Sequence, residues 1–478
     1  MSELMLGNWV DCKLGDVASI IRGVTFPASS KVHEPADGYV ACLRTSHVQE
    51  KLLWDNIYYV PQSHVKRADQ LVGKNDILMS MANSSNLVGK VCINETDRTA
   101  CFGAFLSAIR SKEIDHRYVY YYLKSSEAQQ ALKASASQTV NIANISVGTL
   151  ENLRFPLPPL AEQTRIAAKL DELLAQVDTL KARVDGIPAL LKRFRQSVLA
   201  AAVSGRLTEE WRVQNCPTPP TAPSPNKYSL SKEELKKFAD LHNLPHVWEC
   251  ASAAEVCGSV RDGTHDTPAY HLSGIPLVTS KNIGSGFVDT KEAKLISIED
   301  HLEISKRSLV EHGDVLFSMI GTVGNCCVVR EQDSEFSIKN VGLFKKNEPV
   351  ILPRFLEFWL NSQVMWSWLE KNLKGSSQKF ASLGTLRAMP VFLPSLQEQT
   401  EIVRRVEQLF AFADQLEAKV ATAQTRIDRL TQSILAKAFR GELVPQDSND
   451  EPASVLLERI KAQRAAAPKA KRGRKASA

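Results

Sequence analysis

The side chains able to do chemistry in this chain are grouped, but not at catalytic spacings. There is no GxxxxGKS/T phosphate loop and no GxGxxG behind a strand. A GxSxG elbow and an HExxH pair are also missing. The Asn-Pro-Pro-aromatic signature of amino-methyltransferases is absent; Pro158-Pro159 and Pro219-Pro220 run into Leu160 and Thr221. Glu335 and Lys339 are too isolated to make a nuclease site, and the ten histidines are dispersed. Nine cysteines form no CxxC pair, which reads as reduced thiols and not as a zinc site or a disulfide frame. What remains is a set of loops dense in amides, hydroxyls and cations. Their chemistry is recognition: donating and accepting hydrogen bonds and meeting anions.

Those loops need elements to hold them, and the elements come twice. Leu157 opens LPPLAEQTRIAAKLDELLAQVDTLKARV, and Leu393, 236 residues later, opens LPSLQEQTEIVRRVEQLFAFADQLEAKV. The match runs without a gap to Leu207 and Leu443, with roughly 20 of about 50 positions identical, a period too long for a solenoid. Ile166, Leu170, Leu173, Val177, Leu180, Val184, Ile187, Leu191, Phe194 and Val198 step by four and three. Ile402, Val406, Leu409, Ala413, Leu416, Val420, Ala423, Ile427, Leu430 and Ile434 do the same, and this repeat predicts a coiled-coil seam. Each helix should run about 40 residues, or about 60 Å. Ser395 with Glu398 fits a capping box, and Gly205 and Gly441 stand where a left-handed residue stops a helix. Gly186 and Pro188 predict a kink in the first copy.

The segments ahead of the helices repeat more faintly. In residues 1–156, Val17–Ile21, Tyr39–Leu43, Ile77–Met81 and Val91–Ile93 read as strands, and Arg117–Lys133 as a helix. Trp248 answers Trp9 as a packing anchor, and Thr279-Ser280-Lys281-Asn282 answers Arg44-Thr45-Ser46-His47. Asp314 answers Asp76, and Gly384-Thr385-Leu386 answers Gly148-Thr149-Leu150. Met81 and Met319 read as core. The fold class is therefore α+β: two mixed α/β domains, each followed by a long helix. The two helices are expected to form an antiparallel coiled coil with pseudo-two-fold symmetry. The domain reading is 1–156, a first mixed domain; 157–212, the first repeat helix; 213–244, a Pro-rich linker and a short helix capped by Ser231. It continues with 245–392, a second mixed domain; 393–445, the second repeat helix; and 446–478, an extension with a basic tail.

Composition narrows the class. The chain has 478 residues, 44% hydrophobic and 23% charged, with a net charge of +6. Lys461, Arg464, Lys469, Lys471, Arg472, Arg474 and Lys475 meet no acid in the last 18 residues, so the body is near neutral. That tail reads as a solvated, disordered end or as a phosphate contact. The first residues lack the apolar core of a signal peptide, and no apolar run approaches the ~20 residues of a membrane span. A cytoplasmic protein with no membrane partner is expected.

Two variable segments, the paired LPPLAEQ and LPSLQEQ openings, and the closing SVLAAAVSGRL and SILAKAFRGEL resemble the specificity subunit of type I restriction–modification systems. Asp76-Ile77-Leu78, Gly313-Asp314-Val315-Leu316, Gly89, Gly324 and Asp262-Gly263-Thr264-His265 also fit that family, over residues from about 9 to about 460. The basic tail departs from its pattern. The resemblance implies two target-recognition domains, each reading half of a split, asymmetric site on double-stranded DNA. It implies helices that set the spacing between the two. It further implies docking of two modification (methyltransferase) subunits and of restriction subunits. The chain itself would be no enzyme and hold no cofactor or metal, S-adenosylmethionine belonging to the modification subunit.

Base edges are read by donors and acceptors in the major groove, and phosphates by cations and small donors. On that basis the first domain's candidates are Arg22, Thr25, Arg44, Thr45, Ser46, His47, Asn83, Ser84, Ser85, Asn86, Gln138, Asn141 and Asn144. The second domain's are Asp262, Thr264, His265, Thr279, Ser280, Lys281, Asn282, Thr322, Ser376, Ser377, Gln378 and Lys379. The alternative is a non-enzymatic scaffold joining two protein-binding heads, which should display apolar, aromatic patches in place of polar loops. A stand-alone enzyme is a third reading, which activity in the purified chain would reveal.

Overall fold

A computed structural model describes residues 7–84, 87–111, 113–138, 143–218, 223–284, 286–330, 332, 335–376 and 378–466. The chain divides into two compact units, residues 1–185 with 422–478 and residues 186–421. Both cuts fall inside a long helix, Leu160–Val203 and Leu396–Phe439, each of 44 residues. Asp185 and Ala421, like Gly186 and Thr422, are 236 positions apart, so the division itself respects the internal repeat.

Each unit holds the start of one long helix and the end of the other, running antiparallel. In the first unit Lys181 meets Asp428 at 3.9 Å, and the Gln424 amide donates to Asp185 at 2.8 Å. In the second, Arg195 pairs with Asp414 at 2.6 Å and Glu417 at 2.8 Å. The seam is buried at Ile166, Leu170, Val177, Leu191 and Val198, and at Ile402, Val406, Ala413 and Val420. Two positions correct the heptad reading: Leu180 is 48% exposed and Leu430 46%. Among the described residues no third element covers either leucine at that level. The first long helix is continuous through Gly186 and Pro188, although Pro188 has no N–H to offer the preceding turn.

The two units share one sheet topology. In the first, a four-stranded antiparallel sheet has the order Ala18–Arg22, Leu106–Ser111, Ile77–Ser80, Val91–Ile93. In the second, the order is Val260–Asp262, Val341–Phe344, Val315–Ser318, Cys326–Val328. Beside it lies a three-stranded sheet: Tyr39–Leu43 pairs antiparallel with Tyr58–Pro61 and parallel with Cys101–Phe102. Ile275–Val278 pairs in the same senses with Lys294–Ile296 and Ser337–Ile338. The Asp-Ile/Val-Leu motifs hold the sheet rim. Buried Asp76 takes the Gly73 N–H at 2.7 Å and Arg110 Nε at 2.7 Å, and buried Asp314 takes Lys345 Nζ at 2.6 Å and the Lys346 N–H at 3.1 Å.

The doubled Glu-Gln of the helix openings fastens each head to its helix. Gln163 accepts the Asp115 N–H at 3.0 Å and donates to the Pro158 carbonyl at 2.8 Å. Gln399 accepts the Leu352 N–H at 2.8 Å and donates to the Pro394 carbonyl at 3.1 Å. Asp115 and Leu352 are themselves helix N-caps, so one buried amide joins a helix start in the head to the rod. Ser395 accepts the Glu398 N–H at 3.2 Å, but the carboxylate turns inward to Thr208, Arg212 and Trp248. Only the serine half of the expected capping box is thus made.

Two further expectations are corrected. Arg117–Lys133 is two helices, His116–Lys124 and Ser126–Ala134, because Ser125 adopts extended angles and caps the second. The start of the basic tail is not a solvated end: it continues the helix Ala453–Ala466, which buries Leu456, Leu457 and Ile460 in the first unit's core, while residues 467–478 lie outside the described residues. Lys461 and Arg464 lie on it, Arg464 bonded to the Gly15 carbonyl. The short helix Lys232–His242 forms with its Ser231–Glu234 capping box, and Gly205 and Gly441 are left-handed at φ +72° and +70°.

Candidate nucleic-acid interface

One short turn gathers the polar loops of the first unit. The Gly103 N–H donates to Leu43, ahead of Arg44-Thr45-Ser46, at 2.9 Å. The Gly23 N–H, between Arg22 and Thr25, donates to Leu106 at 3.2 Å. Met81 donates to Phe105 at 2.8 Å, and Ile145 to Met81 at 2.8 Å. A small sheet of Ser137–Gln138, Ala143–Asn144 and Ala82–Asn83 then pairs Gln138 with Ala143 and Ala143 with Asn83, and sets Asn144 between Ser137 and Ala82. Four segments far apart in sequence therefore meet at one edge.

The second unit builds the same edge from other residues. The turn Ile338–Val341 takes the place of Gly103–Leu106. Gly263 donates to Val341 at 3.0 Å, Thr264 to Ile338 at 3.0 Å and Lys339 to Val278 at 2.9 Å. Ala381 donates to Met319 at 2.9 Å, which places the segment around Gln378 beside Thr322. Thr279, Ser280, Lys281, Thr322, Lys339, Asn340 and Gln378 line a cleft of about 570 Å³. Close approach explains the glycine in each edge: a Cβ on Gly23 would lie 2.3 Å from the Gly103 and Phe102 carbonyl oxygens, and one on Gly263 2.1 Å from Ile338 O.

The structure sorts the candidates. Arg22, Thr25, Arg44, Ser46, Ser84, Asn144, His265, Lys281, Thr322, Ser376, Gln378 and Lys379 are exposed. Thr45, Asn83, Thr264 and Thr279 are half-buried, and Asn83 Oδ1 accepts the Ser84 N–H at 2.9 Å. Ser85, Asn86, Asn141 and Ser377 lie outside the described residues; of Gln138 the backbone alone is described.

Four candidates hold the edge from within and are corrections to the reading. His47 is buried; its Nδ1 accepts the Arg44 N–H at 2.9 Å, and Nε2 lies 3.2 Å from the Asp55 carbonyl. Burial, with Arg44 beside it, pushes its pKa below the ordinary value. Asn282 does the same job, Oδ1 accepting from Thr279 N at 2.9 Å and Thr279 Oγ1 at 2.8 Å. Asp262 is buried against Arg307 and, at 3.1 Å, His265. Ser280 is buried with its hydroxyl on the Asn340 carbonyl at 3.3 Å. The X-x-x-His/Asn spacing of 44–47 and 279–282 was a usable signal: a side-chain acceptor three residues on closes a local turn.

Sequence reasoning missed three edge residues. Phe105 is 68% exposed at the tip of the first turn. Lys339 and Asn340 form the second turn, Asn340 at φ +53° with its amide oxygen 2.9 Å from His265 Nδ1. Alignment of Gly103 with the Lys339 region would have found them, but the match there is too faint to see. Among the described residues no cluster of His, Cys, Asp and Glu could hold a metal, and no helix is long and apolar enough to cross a membrane.

Two like mixed heads, each with the start of one long helix and the end of the other, define a chain made of two copies of one unit. Residues 7–189 and 256–423 match the family described as the type I restriction modification DNA specificity domain. The chain is 33% identical to the EcoKI specificity subunit of Escherichia coli (strain K12), over 98% of each. It is 36% identical to the EcoBI specificity subunit of Escherichia coli, over 98% of this chain and 95% of that one. The HsdS subunit of Thermoanaerobacter tengcongensis shares its fold, with a TM-score of 0.53 at 18% identity over 93% of this chain and all of that one. A chain from a structural study of type I restriction–modification assembly aligns at a TM-score of 0.61 and 18% identity, over 92% of this chain and all of that one. The chain belongs to the family of type I restriction–modification specificity subunits, whose part in the enzyme is recognition and not catalysis.

Proposed function

We propose that the two edges read the two halves of one bipartite, asymmetric DNA site. The observation that carries this is the conserved frame with exchanged side chains: a glycine approach, a closed 3₁₀ turn and a gathering turn in both units, bearing Arg22, Arg44 and Phe105 in one and His265, Lys281 and Lys339 in the other. Identical frames fix the pose on the duplex, and different side chains select different bases. Two modification subunits would dock on the duplicated helices and supply S-adenosylmethionine and adenine methylation. Restriction subunits would join that complex for cleavage, in the cytoplasm.

The test is a gel shift with the chain and its modification subunit on fragments carrying the site found by methylome mapping. A specific shift that needs both half-sites is expected. Binding that ignores one half-site, or a chain that never co-purifies with a methyltransferase, would sink the reading.

A further inference from the structure

Over their middle turns the paired helices segregate their charge. Between Leu173 and Ser197, and between Leu409 and Ser433, the acids are Asp178, Asp185, Asp414, Glu417 and Asp428. All lie on the flank that carries the cross-helix contacts of Lys181 and Arg195, since they recur at helical spacings of three, four and seven. Arg183 lies two residues from both Lys181 and Asp185. Two residues are about 200° of turn, which puts Arg183 on the other flank.

The register gives Arg183 a like-charged neighbour. Lys181 faces Asp428 and Asp185 faces Gln424, so Arg183 faces Arg426 between them, and Arg429 is one turn further on the same flank. The second unit has its own copy. Arg195 faces Asp414, so Leu190, five residues back, faces Lys419, with Arg193 one turn from Leu190. Arg183 and Lys419 are 236 positions apart, and so are Arg193 and Arg429. All five cations are exposed, and none makes an ion pair among the described residues. Half-exposed apolar residues adjoin them: Leu180 and Leu430 in the first unit, Leu190 and Phe412 in the second.

Each head reaches the acidic flank. Arg117 of the first head holds Asp171 at 2.7 Å, and Arg354 of the second holds Glu407 at 2.9 Å, on equivalent helix positions. Asp171 is seven residues before Asp178, and Glu407 seven before Asp414, so both stand on that flank. At the base of the second pair the head also touches the other flank, where Trp248 bonds Glu398, but among the described residues none of the five cations bonds to a head. Facing like charges oppose helix pairing, and an anionic occupant would relieve that repulsion. Arginine interleaved with leucine and phenylalanine suits a protein surface better than a phosphate backbone. A copy in each unit suits two identical partners.

We propose that this cationic flank, once in each unit, docks an acidic surface of one modification subunit. The inference rests on the docking reading above and names the face that performs it. The experiment is native mass spectrometry and affinity measurement of the full chain with the modification subunit of its own system. Arg183→Glu converts a repulsive facing pair into an ion pair. If the residue served the helix pair alone, Tm would hold or rise and docking would not change. The expected result is Tm held or raised, with docking at the first unit weakened on the order of tenfold and one subunit bound where the unaltered chain binds two. Lys419→Glu should do the same at the second unit, and the double variant should bind none. Lys192→Glu, on the acidic flank, should still bind two. A double variant that binds two subunits at unaltered affinity overturns the proposal. So does one that keeps both subunits but loses DNA affinity, which would make DNA the occupant. Failure of the unaltered chain to bind any modification subunit would refute the docking reading itself, and is told apart by needing no variant.

Discussion

Glu162 and Glu398 stand at equivalent positions, both buried, in opposite circumstances. Glu398 accepts from Thr208 Oγ1 at 2.8 Å, Arg212 Nε at 2.9 Å and Trp248 Nε1 at 3.1 Å. In the first unit the Trp9 indole lies beside Glu162 without a well-formed hydrogen bond, and among the described residues no arginine bridges to the carboxylate, Arg165 pairing with Asp450 at 2.6 Å instead. Burial raises the Glu162 pKa, with Trp9 and Arg165 pulling the other way. Glu398→Gln keeps one accepting oxygen for Thr208 and Arg212, sets an amide donor against the Trp248 indole N–H, and leaves Arg212, 17% exposed, without its counter-charge. Breaking a buried pair costs about 3–5 kcal/mol; residual exposure of the guanidinium favours the low end, about 3 kcal/mol. Glu162→Gln removes a charge that the fold disfavours and should change stability by less than about 1 kcal/mol at pH 7, in the stabilising direction if at all.

Native-state hydrogen exchange separates the two variants by reporting on each unit. In Glu398→Gln, amides of Val315–Ser318 and Pro353–Leu360 should lose roughly 100-fold in protection while those of Ile77–Ser80 hold. The sign of the pH effect follows from the raised pKa. Folded Glu162 binds its proton more tightly than the unfolded chain does, so its contribution falls as pH rises through the window above 4.5. Glu162→Gln should flatten that slope. Equal destabilisation by the two glutamines, or an unchanged slope, would refute the reasoning.

Other outcomes can be checked alongside. His47 must stay neutral to accept the Arg44 N–H, and its lowered folded pKa means stability is present above about 6.5 and lost as pH falls below it. First-half-site binding should fade there by gel shift, and His47→Asn, which copies Asn282, should remove the pH dependence while keeping binding. Gly263→Ala forces a Cβ to within 2.1 Å of a carbonyl oxygen and should relax only the second half-site, visible as a one-sided change in a long-read methylome. Lys281→Ala should leave Tm in place and reduce the salt slope of DNA binding by about 1 if it meets a phosphate. Leu180→Lys should cost less than about 1 kcal/mol, since the site is half open, whereas Val177→Lys should cost several. Urea midpoints that reverse this order would show the seam to be misplaced.

The sequence by itself determined what repeats and what alternates. The 236-residue offset, the stepped apolar positions and the stop glycines need only local periodicity and backbone preference to be read, and they gave the class, the long helices and the seam. Polar loops were marked as candidates on composition, and Arg44, His265 and Lys281 do stand exposed on the edges. Composition could not tell an outward polar group from one turned in to close a loop. His47, Asp262 and Asn282 were therefore indistinguishable from their exposed neighbours until burial and hydrogen-bond partners were known. Phe105, Lys339 and Asn340 entered the edges only through long-range backbone hydrogen bonds. The exposure of Leu180 and the burial of Leu456 have the same origin: a heptad fixes which face is apolar, and only the neighbours that arrive from distant sequence decide whether that face is covered.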